Sequence, residues 1–437
     1  MTGMEGHRLG ITHYREGYEI PIEDTLPRLL GKRGYQTRVV GKMHVYPERC
    51  HYGFDSMLLC EEGRMLNRTP GSPHRYDDYE QWLAEKGEAG QAFSHGIANN
   101  GYAVAAWPLP DHMHPTEWIG YETCKAIRNR DWTRPQFIWA SFTAPHPPLT
   151  PPLGELALYG DVEATEQLFG DWTKEASAFH SVMLEQFRAM NERERDRQLA
   201  HRAYYALVSH MDRQINRIIG TLHEEGMLEN TWFIVAADHG DCLGDHGLWG
   251  KAGFLRGSCG IPLIVAPPAR ALKEQLGEYW IPGRTSMALA GLQDILPTCV
   301  AIAGGAGLGD RDGIDLLPLV HQPDLVAREQ LLGEYGVRGR RSFMLVRGHW
   351  KYLWYEQDGV ELLFDMDGDP DELHNLLAEQ ALAATDMRER LTKLIQLRGE
   401  DPAIIQGQLT ASEPGVRQTK AALARTVSAL SPRGLHL

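Results

Sequence analysis

Apolar and polar positions alternate along this chain in blocks that predict helices and strands in turn. Glu23–Lys32 reads as a short helix with Leu26, Leu29 and Leu30 facing inward. Pro27 falls in its first turn, where a missing N–H costs little, and Gly34 suits its C-terminal cap. Thr37–Val40 follows as a strand. Phe137–Phe142 (FIWASF), Trp232–Ala237 (WFIVAA) and Ile261–Ala266 (IPLIVA) are continuous apolar runs, which predict buried strands. Tyr204, Leu207, Met211, Ile215, Ile218 and Leu222 recur at helical spacing before Gly226, predicting a helix over Tyr204–Glu225.

The alternation of strand and helix predicts an α/β fold: a large mixed, mostly parallel sheet sandwiched by helices. Residues 61–115 are irregular and rich in Trp, Tyr, His, Asn and Pro, with one helix expected near Asp77–Lys86. The pattern changes after Arg328. Phe343–Arg347, Trp350–Tyr355 and Glu361–Phe364 are short strands joined by tight turns, an antiparallel meander. A helix near Met387–Leu397 and a polar tail from about Thr410 follow. Two units are therefore expected: 1–328 as the large α/β domain, and 329–437 as a small α+β domain bearing an antiparallel sheet and a helical tail.

Composition narrows the function. The 437 residues are 43% hydrophobic and 23% charged, as in ordinary globular proteins. No run approaches the roughly 20 apolar residues of a membrane span. The net charge of −14 argues against nucleic acid as the main partner. It also means that an anionic ligand would need local cations. Six cysteines without a CxxC or CxC pair exclude a disulfide scaffold or zinc ribbon. The first ten residues do not resemble a signal peptide.

Three predicted strands run into polar, chemistry-bearing turns: Gly41-Lys42-Met43-His44, Ala144-Pro145-His146-Pro147-Pro148, and Asp238-His239-Gly240-Asp241. The carboxyl ends of strands in an open parallel sheet line its ligand crevice. The topology would thus gather Lys42, His44, His146, Asp238 and His239, with Lys251 in the glycine-rich loop that follows. Asp238 and His239 can share a divalent cation. Imidazole tolerates Ca²⁺ less well than Mn²⁺ or Zn²⁺. At the end of a buried strand, the Asp238 carboxylate would need such compensation. The two lysines and the imidazoles would clamp a tetrahedral anion and stabilise charge on a leaving oxygen. That combination points to hydrolysis of a sulfate or phosphate ester. Singly, the Gly-Lys-x-His and Pro-His-Pro-Pro stretches read more simply as a surface turn and a rigid loop. Their shared position at strand ends is what favours chemistry.

These residues resemble the type I sulfatases of the alkaline phosphatase superfamily. The resemblance rests on GKMH followed by YGFD, on SFTAPHPPLTPP, and on DHGDCLGDHGLWGK before IPLIV. LQDILPT…DGIDLLPL and KYLWY…ELLFDMDGDPDELHNL extend it over nearly the whole chain. It implies that Asp238 and His239 are ligands of one divalent cation, usually Ca²⁺. It implies that Lys42 and His44 contact the sulfate and the nucleophile's hydroxyls, and that His146 and Lys251 hold sulfate oxygens. His146 would also be a proton donor to the leaving alcohol. The substrate implied is a small-molecule or glycan sulfate ester.

The family's nucleophile is a formylglycine made from Cys or Ser in a Cys-x-Pro-Ser/Ala-Arg motif, which lies before a Leu-Thr-Gly or Met-Thr-Gly stretch. This sequence begins at Met1-Thr2-Gly3 and holds no Cys or Ser in that context. The expectation is a chain with half a metal site and no nucleophile: either a start codon placed late or a degenerate copy. Such a chain would be inactive and would have a defective sheet. Its location is cytoplasmic as written, and periplasmic or secreted if an upstream signal peptide was lost. The competing readings are a phosphodiester or phosphonate monoester hydrolase of the same superfamily and a non-catalytic remnant that binds sulfated ligands. Oligomeric state is left open.

Overall fold

The computed structural model describes residues 1–11, 17–63, 77–163, 165–175, 177–251, 253–268, 283–305, 307–337 and 340–412. Strands β1 (Gln36–Gly41), β2 (Ser56–Leu59) and β3 (Gln136–Ser141) form a parallel sheet in the order β2-β1-β3. Helix α1 (Leu26–Gly31) buries Leu26, Leu29 and Leu30 against Leu296 and Val300 of the helix Ile295–Ile302. Pro27 stands in its first turn, as expected. Cys299 lies on the same apolar helix.

Helix α2 (Asp78–Glu85) falls where the pattern placed it. Its N-cap Asp77 accepts from the Glu80 N–H at 2.8 Å. Helix α3 (Pro115–Arg128) starts on a His114 cap that accepts from the Thr116 N–H at 3.1 Å. It packs against the long helix Glu194–Glu224. That helix begins ten residues before the predicted Tyr204, and its buried stripe is different. Ala203, Ala206, Leu207, His210 and Gln214 are buried, whereas Tyr204, Met211, Ile215 and Ile218 are half-buried. The reason is polar packing. Glu117 on α3 takes hydrogen bonds from Gln214 at 2.5 Å and pairs with His210 at 3.2 Å.

Strands β4 (Phe233–Ala236) and β5 (Leu263–Ala266) pair with each other antiparallel. The three apolar runs expected to form buried strands are only partly buried. The residues of β3 are all half-buried, and β4 and β5 include exposed Ala236 and Ile264. The cause is edge geometry. Among the described residues, β3 is bonded only to β1, and β4 only to β5. Each presents a ladder edge with no strand across it.

Strands β6 (Gln330–Val337), β7 (Arg340–Arg347), β8 (Trp350–Tyr355) and β9 (Glu361–Asp365) form the antiparallel meander, with β6 a strand the sequence pattern did not mark. Its two faces alternate as the pleat requires. Phe343, Leu345, Tyr352 and Trp354 meet the helix Ala381–Gln396. Met344, Leu353 and Tyr355 pack on Trp172, Phe179 and Leu248. The expected tail beyond residue 412 lies outside the described residues. No described helix is long and apolar enough to cross a membrane.

Candidate active site

Gly41 ends β1 at φ +110°, where a Cβ would lie 1.9 Å from the Ser141 carbonyl oxygen. Only glycine lets the two strands run this close at their carboxyl ends. Lys42 follows, with its N–H donating to that carbonyl at 3.0 Å. Its ammonium reaches the Asp238 carboxylate at 3.4 Å, and the Lys42 side chain as a whole is 13% exposed. Beyond it, the Met43 and His44 N–H groups donate to buried Glu61, at 2.6 and 2.9 Å to one oxygen. The Glu61 N–H in turn donates to Asp77 at 2.5 Å. Burial pushes the Asp77 carboxyl up to about 6.

The loop after β3 carries His146, whose Nδ1 lies 2.6 Å from the Pro147 carbonyl. After β4, His239 does the same, with Nδ1 at 2.8 Å from the Gly240 carbonyl. A carbonyl accepts only, so Nδ1 carries the hydrogen in both rings and each Nε2 is left as an acceptor. Both Nε2 atoms face Lys251, whose ammonium stands 2.8 Å from His239 and 3.4 Å from His146. The rings lie 5.8 Å apart, centroid to centroid. Burial, then the neighbouring Lys251 charge, lowers the His239 pKa and favours the neutral ring. With its Nε2 an acceptor, His146 could give up a proton from that atom only as the imidazolium.

Asp238 does not sit as the sequence argument required. Its side chain is 67% exposed, so no buried carboxylate demands compensation there. Partial desolvation pushes its pKa up, but Lys42, His239 and Lys251 outweigh this and hold the carboxyl below its ordinary range. Lys251 is aimed by Asp241. That carboxylate accepts from the Leu243 and Gly250 N–H groups at 2.9 Å each, and from the Tyr102 hydroxyl, which closes the glycine-rich loop.

Lys42, His146, Asp238, His239 and Lys251 thus form one connected set. His44 lies two residues beyond Lys42, on the loop that Glu61 holds. Two ammoniums against one carboxylate make the set locally cationic in an acidic protein. The Asp238 carboxylate and the His239 Nε2 are 3.8 Å apart, but that Nε2 faces the Lys251 ammonium at 2.8 Å, so a cation bound through it would have to displace Lys251. No group of three or more His, Cys, Asp or Glu is arranged for a metal among the described residues. Asp238 and His239 are of donor types that a divalent ion accepts, and two donors do not by themselves make a site. Cys60, Cys124, Cys242 and Cys299 are buried, and burial raises the thiol pKa of Cys60 and Cys299.

Sequence reasoning missed Glu61, Asp241 and Tyr102 as supports. Glu61 follows β2, a strand the apolar pattern did not mark. Had that strand been recognised, the carboxyl-end rule would have picked out Glu61. Asp241 stood inside a quoted motif without a role.

The sulfatase family model matches residues 1–306. An arylsulfatase of Clostridium perfringens is 31% identical over 413 residues, covering 92% of this chain and 84% of that protein. A choline-sulfatase of Rhizobium meliloti is 29% identical over 363 residues, covering 79% of this chain and 66% of that protein. Among solved structures, a phosphonate monoester hydrolase of Agrobacterium radiobacter superposes with a TM-score of 0.70 at 21% identity, covering 91% of this chain and 84% of that one. A protein solved with its substrate D-glucosamine-2-N,6-O-disulfate superposes at 0.66 and 18% identity, covering 92% and 87%. These two likenesses show a shared fold: helices about a mixed sheet, with an antiparallel sheet in the C-terminal region. By its family model and its arylsulfatase relative, the chain belongs to the sulfatase family.

Proposed function

We propose that the carboxyl-edge cluster is the sulfate-ester site of a sulfuric ester hydrolase. The observation that carries this reading is the convergence of Lys42, Lys251, His146 and His239 at one point of an acidic, sulfatase-family protein. Lys42 and Lys251 would neutralise the sulfate oxygens. His146, once protonated, would hold a third oxygen and pass its proton from Nε2 to the departing alkoxide as the S–O bond breaks. His44 would sit at the edge of the sulfo group, on a loop fixed by Glu61. Asp238 and His239 would hold a divalent cation, with Ca²⁺ the family's usual choice and Mn²⁺ or Zn²⁺ the alternatives. When bound, that cation would polarise sulfate oxygens. The family's formylglycine would be the nucleophile, and no cysteine or serine of this sequence stands in its motif.

Recognition and turnover are therefore tested apart. Calorimetric titration of the chain with 4-nitrophenyl sulfate in Ca²⁺ buffer should give saturable binding. Lys251→Ala should weaken it by about tenfold or more, the scale of a charge-assisted contact. Asp238→Ala should lose the cation, read by elemental analysis, while Lys251→Ala keeps it. Equal affinity in Lys251→Ala, or full metal content in Asp238→Ala, would remove the reading. Running a phenyl phosphonate ester alongside addresses the second reading, hydrolysis of phosphonate monoesters, whose structural likeness is noted above. Tighter, Lys251-dependent binding of the phosphonate would favour it.

A further inference from the structure

Two C-terminal stretches of the sequence, KYLWY and DGDPDELHNL, meet inside the protein. Lys351 of β8 forms an ion pair with Glu372, which follows β9, and both side chains are buried. Glu372 stands at φ +59°, a left-handed conformation that a residue with a side chain rarely adopts. Its own carbonyl accepts from the Trp172 indole N–H at 2.8 Å, which helps to hold it there. A buried pair of this kind contributes little net stability, because the desolvation of two charges offsets their attraction. What the pair touches says more.

Both partners grip one short helix, Arg256–Cys259. A Glu372 carboxylate oxygen accepts from the Arg256 N–H at 2.8 Å, at the start of that helix. The Lys351 ammonium lies 3.7 Å from the Cys259 sulfur, at its end. Between them, the Ser258 carbonyl accepts from the Gly240 N–H at 2.7 Å. The two backbones run so close here that a Cβ on Gly240 would stand 2.2 Å from the Gly257 carbonyl oxygen. The Gly240 carbonyl in turn accepts from the His239 Nδ1 at 2.8 Å, and the Nε2 of that ring faces the Lys251 ammonium. One unbroken line of contacts runs from the C-terminal antiparallel sheet to the carboxyl-edge cluster.

We infer that Glu372, secured by Lys351, is a positioning residue for His239. It fixes the helix on which the His239-Gly240 turn is seated, and so sets where the imidazole meets Lys251. The C-terminal sheet is then a working part of the site. The effect on sulfate binding rests on the sulfate-site reading; the effect on the ring does not.

Two pairs of full-length variants test this. Arg256→Pro removes the N–H that Glu372 accepts, at a first helical position where proline is tolerated and after Leu255, which is already extended. Arg256→Ala keeps that N–H and loses the same side chain. Lys351→Met/Glu372→Leu removes the charges and the acceptor together, whereas Lys351→Met/Glu372→Gln removes the charges and keeps an acceptor. Comparison within each pair isolates one hydrogen bond from general damage. The first readout is the ring Cε1–H NMR signal of His239, assigned by its loss in His239→Gln. Within each pair it should differ, while the signal of His114, which caps α3, should coincide. The second readout is calorimetric titration with 4-nitrophenyl sulfate in Ca²⁺ buffer. Arg256→Pro and Lys351→Met/Glu372→Leu should bind about tenfold more weakly than their pair mates, and His239→Gln should abolish that difference. His239 signals that coincide within the pairs, a His114 signal that moves as far, or a tenfold difference that survives His239→Gln would overturn the inference. If sulfate binding proved independent of Lys251, the sulfate-site reading would fall, and the His239 signal would still decide the positioning role.

Discussion

The Lys251 ammonium stands 2.8 Å from the His239 Nε2 and 3.4 Å from the His146 Nε2, and its charge helps to hold the Asp238 carboxyl below its ordinary range. The two ring nitrogens fix where the ammonium stands, and that position predicts how substitution should behave. Lys251→Arg should restore only part of the sulfate affinity lost in Lys251→Ala, because a planar fork cannot occupy the point between two facing rings. Full restoration in the same titration would show that charge alone matters. Turnover is a separate question. With no Cys or Ser standing in a formylglycine motif within its 437 residues, the chain should hydrolyse 4-nitrophenyl sulfate negligibly. A chromogenic assay in Ca²⁺ buffer checks this, and rates like those of ordinary sulfatases would reveal an unrecognised nucleophile.

At the scale of elements, the site depends on how strands end. Gly41→Ala would force a Cβ against the Ser141 carbonyl at a positive φ. It should cost at least about 2 kcal/mol of stability, read by denaturant unfolding, and a loss under about half that would mean the β1–β3 edge is looser than it appears. Helix α2 gives a pH signature. Burial, then the Asp77 charge, pushes the Glu80 carboxyl up to about 7 from an ordinary value of 4.5. The folded chain therefore holds this proton more tightly than the unfolded chain. Its stabilising contribution is present below the ordinary value and is lost as pH rises through about 7. Between pH 5 and 8 the Tm should fall, and Glu80→Gln should flatten that fall. Parallel Tm profiles for the two proteins would contradict the assignment.

Much of this was legible in the sequence. The ends of β1, β3 and β4 announced themselves through apolar runs broken by Lys, His and Asp, and those turns do converge. Burial was less legible. FIWASF and WFIVAA read as buried because a continuous apolar run records what a strand prefers, not whether a neighbour covers it. The exposure of Asp238 escaped for the same reason, and Glu61 escaped because β2 is only four residues long.

For the whole molecule, the described residues contain a three-stranded parallel sheet and a separate two-stranded pair. Strand β1 is buried, whereas β3, β4 and β5 are half-buried with exposed positions, and the C-terminal meander is well packed on both faces. Uneven burial of this kind predicts uneven stability. The 437-residue chain should melt early or aggregate through β3 and β4, with the meander holding longest. Hydrogen exchange would show this as weak protection in β3 and β4 against strong protection in β7 and β8. A monodisperse sample with a sharp melt at an ordinary mesophilic temperature, and uniform protection, would contradict it.

The most direct measurement is a crystal structure of the chain with 4-nitrophenyl sulfate and Ca²⁺. Sulfate density is expected between the Lys42 and Lys251 ammoniums, with one oxygen facing His146 and a cation against Asp238 and His239. Sulfate bound elsewhere, or a cation that ignores both of those residues, would show that the convergence of strand ends is architecture and not a site.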